Sequence, residues 1–364
     1  MASRLLRCET LWGTCDEIAG PPGLGRLAGA TYLPYRPDGA WGLFGEGGRL
    51  TGSGRDPANG EGVPAGEPVD LGPALYLGPL VTHYGHFLIN TLPRLWPLAG
   101  DGPRPRLVCH RYEPPGAWDR LEFLGAILGR LGYRIEEVES FDRPVRIAEL
   151  IVPEPALREQ ASIHAAFGAL CRGIGRPFWD AAEVDREARP VWLSKTRLAQ
   201  GIARIVNEAD LEAELERRGV EIVAPETLDF AGQVRLLSRR DIVMGSVGSA
   251  FHTTAFAAPG RRLVGLNWQP ALNANFALLD RVSGARARYY HDQGTRYREP
   301  GADAAGQAAW QVAWTLPDPR GTAAALLRRA ERLARDRPDP GRLVLAAERF
   351  DRALRARLRR LTGG

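Results

Sequence analysis

Cysteine is scarce in this sequence, and long apolar runs are missing. The 364 residues include 4 cysteines, whose spacing fits neither a zinc site nor the framework of a disulfide-stabilised domain. No window approaches the ~18 consecutive apolar residues of a membrane-spanning helix, and the N-terminal segment lacks the apolar stretch of a signal peptide. We therefore expect a reducing, cytoplasmic location, with peripheral contact to the cytoplasmic membrane as the alternative.

Several ligand-binding and catalytic motifs are also missing. No Gly-x-Gly-x-x-Gly fingerprint follows a predicted strand, no Asp-x-Asp pair occurs, and the order Gly-x-Ser-x-Gly of a hydrolase nucleophile elbow is not met. The formal charge of +5 would suit a polyanionic partner, but no recognition motif for nucleic acid is present. We expect no cofactor, no metal ion and no nucleic-acid partner.

What the sequence does contain is a regular alternation of strand and helix patterns over residues 190–268. Short β-branched runs alternate with helical stripes, which predicts β-α-β-α-β-α-β, half of a doubly wound parallel sheet. Within it, Asn207 and Asp210 have the spacing of a helix N-cap and capping box, and Gly219 supplies a left-handed stop.

A Gly/Ser turn, residues 245–249, follows one of these predicted strands, and the next helix is expected to begin there. Ligands of open parallel sheets collect at the carboxyl ends of the strands, and a helix N-terminus binds anions. We therefore expect a phosphate near Gly248 and Ser249. His252 lies one helical turn further on, where it could reach the same anion or serve a structural role.

Three other side chains are predicted at strand ends. Of the 48 basic residues, 47 are arginine and one, Lys195, is lysine; it lies with Arg197 where cations could meet a pyrophosphate, although both could equally be solvated. Glu226 could accept a hydrogen bond from a ribose hydroxyl or be a plain surface carboxylate.

The N-terminal half predicts a second α/β domain. Short aromatic runs at 30–35 and 41–44 predict strands or hairpins, and 49–70 predicts a loop that is either a lid or disordered. Strands are then predicted at 107–110, 133–138 and 147–152, and helices at 121–131 and 156–171. The predicted domains are 1–180, 181–320 and a C-terminal helical part, 321–364, with 175–190 as the linker.

Two histidines precede a helical stripe that Pro93 should interrupt. His83 and His86 are three residues apart, as metal ligands on a helix can be, but no third ligand is nearby. A base or hydrogen-bonding role in a cleft and a structural role are the alternatives.

The C-terminal part has two predicted helices. Residues 268–318 predict irregular structure, and Thr322 is expected to cap a helix that ends at Arg335. The last helix, 343–361, has one apolar face and many arginines elsewhere, so we expect it to pack on its own domain or to lie on an anionic bilayer.

Together, two segments resemble glycosyltransferase family 61. Residues 83–96, HYGHFLINTLPRLW, are similar to the family's bacterial signature, a His-Phe/Tyr-Gly-His-Phe/Trp-Leu-Leu core followed by an acidic residue and Arg-Leu-Trp. The later blocks LSKTR, Asn207 with Glu208, Glu226, Gln233 and GSVGSAFHTTAFAAPG resemble, in order, its Leu-Ser-Arg, Asn-Glu, Glu, Gln and Gly-Ser-Ala-Leu-His-Asn blocks. The resemblance covers about residues 75–266.

The resemblance implies a GT-B-like fold, in which two Rossmann-type doubly wound domains face each other across a cleft. It implies transfer with inversion from a nucleotide-sugar donor, UDP-sugar favoured, to a hydroxyl of a glycan or lipid-linked glycan acceptor of the bacterial surface: capsule, lipopolysaccharide or exopolysaccharide. A non-catalytic nucleotide- or glycan-binding module and a nucleotide-sugar oxidoreductase or epimerase are the alternatives.

The hypothesis built on this resemblance gives each candidate a role. His86 is the base, His83 and Asn90 position the acceptor, and Tyr84 and Arg94 bind it. The donor side comprises Lys195, Arg197, Asn207, Glu226, Gly248, Ser249 and His252. The sequence departs from the family at Asn90, where relatives carry Glu or Asp, at Lys195, where Arg is usual, and at Val247, often His. Asn90 matters most because it removes an obvious carboxylate from the acceptor side.

Overall fold

The structure, a computed structural model, describes residues 4–58, 61–100, 104–114, 116–298 and 310–335. The strands before residue 165 are β1 (Leu5–Arg7), β2 (Thr10–Trp12), β3 (Asp16–Ile18), β4 (Leu24–Leu33), β5 (Trp41–Gly45), β6 (Gly48–Arg55), β7 (Glu67–Val69), β8 (Ala74–Leu80), β9 (Arg106–Arg111), β10 (Val138–Glu139), β11 (Val145–Pro153), β12 (Leu157–Arg158) and β13 (Ser162–His164). The later strands are β14 (Val191–Leu193), β15 (Gly201–Ile205), β16 (Glu221–Val223), β17 (Ile242–Ser246), β18 (Arg262–Asn267), β19 (Ala271–Asn273), β20 (Arg286–Asp292), β21 (Arg296–Arg298) and β22 (Trp310–Thr315).

The α-helices of the described residues are α1 (Tyr84–His86), α2 (Glu122–Arg130), α3 (Ala165–Gly175), α4 (Glu208–Arg217), α5 (Phe230–Arg239), α6 (Ala274–Ser283) and α7 (Pro319–Arg335). A π-helical turn spans Phe87–Thr91, and 3-10 turns span Leu92–Arg94, Trp96–Leu98, Ile135–Glu137, Arg176–Phe178, Ala181–Glu183, Pro225–Thr227 and Ser249–Ala255. Within these described parts, no helix is both long enough and apolar enough to cross a bilayer.

The chain forms two compact units. The described residues of the C-terminal unit fall in 4–17, 160–163 and 171–335, and those of the N-terminal unit fall in 18–159 and 164–170. The first strand, β1, therefore belongs with the second half of the chain, which the sequence did not indicate.

The main sheet of the C-terminal unit has the strand order β1-β20-β18-β17-β14-β16. Its pairings are parallel, except that β1 runs antiparallel to β20. Counted along the chain from β14, the parallel strands lie in the order 2-1-3-4-5, which is a doubly wound order. The segment 190–268, predicted to form half of a doubly wound sheet, contributes the parallel strands β14, β16, β17 and β18, whereas its strand β15 pairs in a different sheet.

Helices cover both faces of this sheet because successive strand residues point to opposite sides. Trp192 and Met244 are buried on one face, against Leu211 of α4 and Leu326 of α7. On the other face, the buried side chains include Val191, Leu193, Val243, Leu237 of α5 and Phe251. Full burial of each such side chain contributes about 1.5–3 kcal/mol, so both layers hold the central strands in place.

Two details of this unit differ from the prediction. Gly219 is left-handed (φ 83°) and follows α4, as predicted, but Asn207 does not cap that helix. Its amide instead forms two hydrogen bonds with the backbone of Leu316, each 3.0 Å long. Residues 268–318, predicted to be irregular, include β19, α6 and β20, and α6 is capped by Asn273.

The helix predicted to begin at Thr322 starts at Pro319. Thr322 lies inside its first turn, where its hydroxyl donates to the carboxylate of Asp292 at 3.2 Å. The predicted last helix, 343–361, lies outside the described residues.

The main sheet of the N-terminal unit is mixed. Its order is β10-β9-β8-β11-β4-β5-β6, with β7 also paired to β11. Strands β7 to β11 pair in parallel, and β4, β5 and β6 form an antiparallel meander next to β11. The parallel part follows the predicted strand and helix alternation. The facing of two Rossmann-type domains across a cleft stays a prediction.

Some predicted elements of this unit are wrong in detail. The predicted loop at 49–70 begins as strand β6, which pairs with β5 across a tight turn. The predicted strand at 133–138 is mostly a 3-10 turn, and the predicted helix at 156–171 starts only at Ala165, after β12 and β13. Gln160 has a left-handed backbone (φ 54°), which a continuous helix cannot contain.

Candidate functional site

The sheet of the C-terminal unit has one topological switch point, at β14. Its neighbours β16 and β17 lie on opposite sides of it, in register at Leu193 with Val223 and Gly245. Ligands of such sheets bind in the crevice beyond the carboxyl ends at this point. The predicted residues Lys195, Arg197, Glu226, Gly248 and Ser249 all follow these three strands, so the fold brings their backbones to one edge.

The side chain of Lys195 is directed into the protein at this edge. Its Nζ donates to the carbonyl oxygens of Val247 at 2.8 Å and Ala203 at 3.2 Å. A Cβ built on Gly248 would lie 2.7 Å from Nζ, so the glycine packs directly on the ammonium group. Burial lowers the pKa of Lys195, and the nearby carboxylate of Glu208 partly offsets this effect. Lys195 therefore supports the loop after β17.

Glu208 is the buried carboxylate beside this lysine, and the sequence did not single it out. Its Oε1 accepts from Trp192 Nε1 at 3.0 Å and from the backbone N–H of Lys195 at 3.2 Å. Burial raises the pKa of Glu208 above its ordinary value. The only signal for it in the sequence was its place after Asn207 in the resemblance. The side chain of Asn207 is hydrogen-bonded to the backbone of Leu316. Of this pair, it is therefore Glu208 that contacts the backbone after β14, through the N–H of Lys195.

The remaining donor-side candidates have different surroundings. Arg197 and Glu226 are exposed and Ser249 is half-buried. His252 is buried, with its ring 4.7 Å from that of Phe276. The helix predicted after Gly248 is a seven-residue 3-10 turn, Ser249–Ala255. Arg197 is thus the predicted cation whose side chain is open to solvent at the switch point.

The second candidate region follows β8 in the N-terminal unit. After the strand ends at Leu80, the chain enters a helical segment that carries His83 and His86, both exposed, with ring centroids 5.3 Å apart. The segment changes from α to π geometry at Phe87 and from π to 3-10 geometry at Leu92, and Pro93, where a kink or restart was predicted, lies in that 3-10 turn. The pKa of His83 is lowered, mainly because its ring is partly desolvated and to a smaller extent because of the charge of the neighbouring His86. The neutral form of His83 is therefore favoured.

Asn90 connects His86 to a carboxylate. Its Oδ1 lies 3.3 Å from His86 Nδ1, because residues four apart share one helix face, and its Nδ2 donates to Glu159 Oε2 at 3.3 Å. Sequence reasoning missed Glu159, which is 69 residues away along the chain. A carboxylate is therefore present at this site, although residue 90 is an amide.

The two predicted acceptor-binding side chains contact the protein itself. Tyr84 packs edge-on against Phe123, with ring centroids 5.1 Å apart. Arg94 donates to the carbonyl oxygen of Pro153 at 2.6 Å and lies over Gly78, and burial lowers its pKa. These contacts give both side chains a structural part in holding the segment after β8.

An open, doubly wound sheet with a topological switch point defines the class of α/β proteins that bind ligands beyond the carboxyl ends of their strands. Residues 84–264 match the family described as Glycosyltransferase 61, so this part of the chain is similar to that family. The match includes His86, but not His83, and the loops after β14, β16 and β17. It supports glycosyltransferase activity with a nucleotide-sugar donor and a glycan acceptor in general. No curated protein matches the chain.

Proposed function

We propose that the protein is an inverting, metal-independent glycosyltransferase that moves a sugar from a nucleotide-sugar, UDP-sugar favoured, to a hydroxyl of a bacterial surface glycan or its lipid-linked precursor. It would act in the cytoplasm or at the cytoplasmic face of the membrane. The observation that carries the proposal is the exposed His86, held by Asn90, within a segment that matches the family.

Inversion in one step requires a base that removes the proton of the acceptor hydroxyl. His86 is exposed, and a neutral imidazole has a nitrogen lone pair that can accept a proton, which suits this role. His83 is next to it and favours the neutral form, so it can hydrogen-bond the acceptor. Asn90 fixes the orientation of His86.

Transfer also requires stabilisation of the leaving nucleoside diphosphate. Arg197 offers an exposed guanidinium beside the switch point, and guanidinium groups bind phosphate oxygens in pairs. The backbone of Gly248 and Ser249 lies at the same switch point. Lys195 supports this loop through the hydrogen bond from its Nζ to the carbonyl oxygen of Val247. Glu226 is exposed at the end of β16, where a ribose hydroxyl could donate to it.

The first experiment measures thermal stabilisation by UDP-, GDP-, CMP- and dTDP-linked sugars, each with a divalent cation or with a chelator. A ligand at about 100 times its Kd adds about 2.7 kcal/mol to the free energy of unfolding. The proposal is supported if sugars linked to one class of nucleotide stabilise the protein, and if the stabilisation is the same with the divalent cation as with the chelator. Stabilisation that requires the cation contradicts metal independence.

The second experiment measures donor hydrolysis and transfer by His86→Ala. We expect a rate lower by about 10²–10⁴-fold, the usual contribution of a general base. His291→Ala, a histidine change in the C-terminal unit, is the control and should keep the rate. A His86→Ala rate near that of the wild type would remove the base from the proposal.

A further inference from the structure

Asn90 lies between two partners with different hydrogen-bonding chemistry. A side-chain amide has one end that accepts and one that donates, whereas an ionised carboxylate only accepts. The Glu159 carboxylate therefore binds the Nδ2 end of Asn90, at 3.3 Å, and the Oδ1 end is left facing the ring of His86. The carboxylate thus determines which way the amide points.

The orientation of the amide in turn determines where the proton of His86 lies. Oδ1 only accepts, so a hydrogen bond to it requires that Nδ1 of His86 carries the proton. In the neutral imidazole the other nitrogen, Nε2, then has the free lone pair. The ring of His83 is 5.3 Å from that of His86, centroid to centroid, and Asn90 bonds to both His86 and Glu159.

We propose that Glu159 is a positioning residue that acts through Asn90 to hold neutral His86 in the Nδ1–H tautomer, which makes Nε2 the basic nitrogen of the site. The catalytic part of this inference rests on the proposed function, but the tautomer itself does not. It also explains how the site can use an amide at position 90, because the carboxylate is supplied from residue 159.

In the transfer step, Nε2 takes the proton of the acceptor hydroxyl while the acceptor oxygen bonds to the anomeric carbon. The bond from that carbon to the diphosphate breaks, and the diphosphate leaves with the electron pair. Nδ1–H stays hydrogen-bonded to Asn90 throughout, and Nε2 later returns its proton to solvent. Only the Nδ1–H tautomer can start this sequence at Nε2.

The test is the tautomer of His86 in the full-length protein, read from two-bond ¹H–¹⁵N correlation spectra after labelling with ¹⁵N-histidine. The chain has 6 histidines, so His86 is identified by the signal that His86→Gln loses. We expect a protonated Nδ1 and an unprotonated Nε2 in the neutral ring of the wild type. A protonated Nε2 in the wild type overturns the proposal.

Two substitutions of Glu159 separate orientation from simple loss of charge. In Glu159→Gln, the new amide can accept from or donate to Asn90, so we expect both tautomers and a rate lower by about two-fold. In Glu159→Lys, the ammonium can only donate, so Asn90 turns and the proton moves to Nε2 of His86. The base is then lost, and the rate falls by the ~10²–10⁴-fold of general-base catalysis.

A double variant and a control complete the test. Asn90→Asp combined with Glu159→Gln places a carboxylate directly on Nδ1, so the Nδ1–H tautomer and the rate should return. Glu154→Gln removes an exposed carboxylate from the same segment, paired with Arg158, and should leave the tautomer unchanged. An unchanged tautomer in Glu159→Lys overturns the proposal. If the tautomer shifts in Glu159→Lys but His86→Ala is fully active, the role of Glu159 in setting the tautomer is supported and the role of His86 as the base is rejected.

Discussion

Glycine is needed at position 248 because the side chain of Lys195 packs against it, and not because of its backbone conformation. The backbone is extended (φ −178°), a conformation that any residue adopts. A Cβ would nevertheless lie 2.7 Å from Nζ and 2.8 Å from Cε of Lys195. Since Nζ is also hydrogen-bonded to Val247, a side chain at position 248 would have to displace the lysine from the loop that it supports.

We therefore predict that Gly248→Ala lowers the free energy of unfolding by about 1–3 kcal/mol, the usual cost of overpacking, and lowers donor binding with it. Chemical denaturation and donor titration measure the two effects. Gly173→Ala is the matched control, because nothing lies within 4 Å of a Cβ there and alanine favours the helix that contains it. Equal stability of Gly248→Ala and the wild type would contradict the role given to Lys195.

Arg197 is predicted to act on the ligand alone. Because it is exposed, Arg197→Ala should change the free energy of unfolding by less than about 0.5 kcal/mol. If it stabilises the leaving diphosphate, the rate of donor hydrolysis should fall by about 10²–10³-fold. Arg235→Ala, which removes an exposed arginine from α5, should leave both quantities unchanged. Full activity of Arg197→Ala would exclude this residue from the mechanism.

At the level of elements, the side chain of Asn207 connects the start of α4 to the residue after β22. Both polar backbone groups of Leu316 depend on it, and Leu316 is buried. A buried backbone group that loses its partner costs about 1–3 kcal/mol. The amide therefore joins two elements that are 109 residues apart along the chain.

Asn207→Ala should accordingly lower the free energy of unfolding by about 2–4 kcal/mol, since it leaves two groups of Leu316 unpaired. Asp210→Ala is the informative comparison, because the sequence predicted a capping box between these two residues. Asp210 is exposed and Asn207 forms no cap, so this change should cost little. Urea denaturation of both variants measures the difference, and equal losses would favour the capping box.

Sequence patterns predicted the elements whose evidence is local. Strands β14, β16, β17 and β18 and helices α4 and α5 follow from apolar periodicity, and the change to a 3-10 turn around Pro93 follows from its ring, but β15 was not predicted. The contacts that position the site were not predictable in this way. The pairing of Asn90 with Glu159 and the inward direction of Lys195 depend on segments brought together only by the fold.

The same distinction explains the errors. Asn207 has the residue type and spacing of a cap, but a partner more than a hundred residues away competes for its amide. The predicted helix at 156–171 has apolar periodicity, yet its first part pairs as strands. Short segments are decided by tertiary contacts, which periodicity does not report.

For the whole molecule, the stability should depend on His110 in acid. This ring is fully buried, with Nε2 donating to the carbonyl oxygen of Leu33 at 2.8 Å and Nδ1 accepting from the Tyr76 hydroxyl at 2.5 Å. Burial lowers its pKa to about 4. Because the folded pKa lies below the ordinary value of about 6.5, the stability from this group is lost as the pH falls from about 6.5 to 4.

We predict that the free energy of unfolding of the wild type, relative to His110→Gln, falls by roughly 3 kcal/mol over this pH range, at about 1.4 kcal/mol for each unit of pKa difference. Urea denaturation of both proteins between pH 7.5 and pH 4 measures the relative change. Comparison with the variant cancels the titration of other groups. Parallel curves for the two proteins would show that His110 is not the responsible group.

The pairing of β1 with β20 has a consequence for synthesis. Translation proceeds at about 5–20 residues per second, so Leu5 leaves the ribosome roughly 15–60 s before its partner Asp292 exists. During that interval the first strand has no sheet to join, while the whole N-terminal unit is made and can fold. The outer edge of β20 is completed by a strand that is made much earlier, so closure of this sheet is a late event in the folding of the chain.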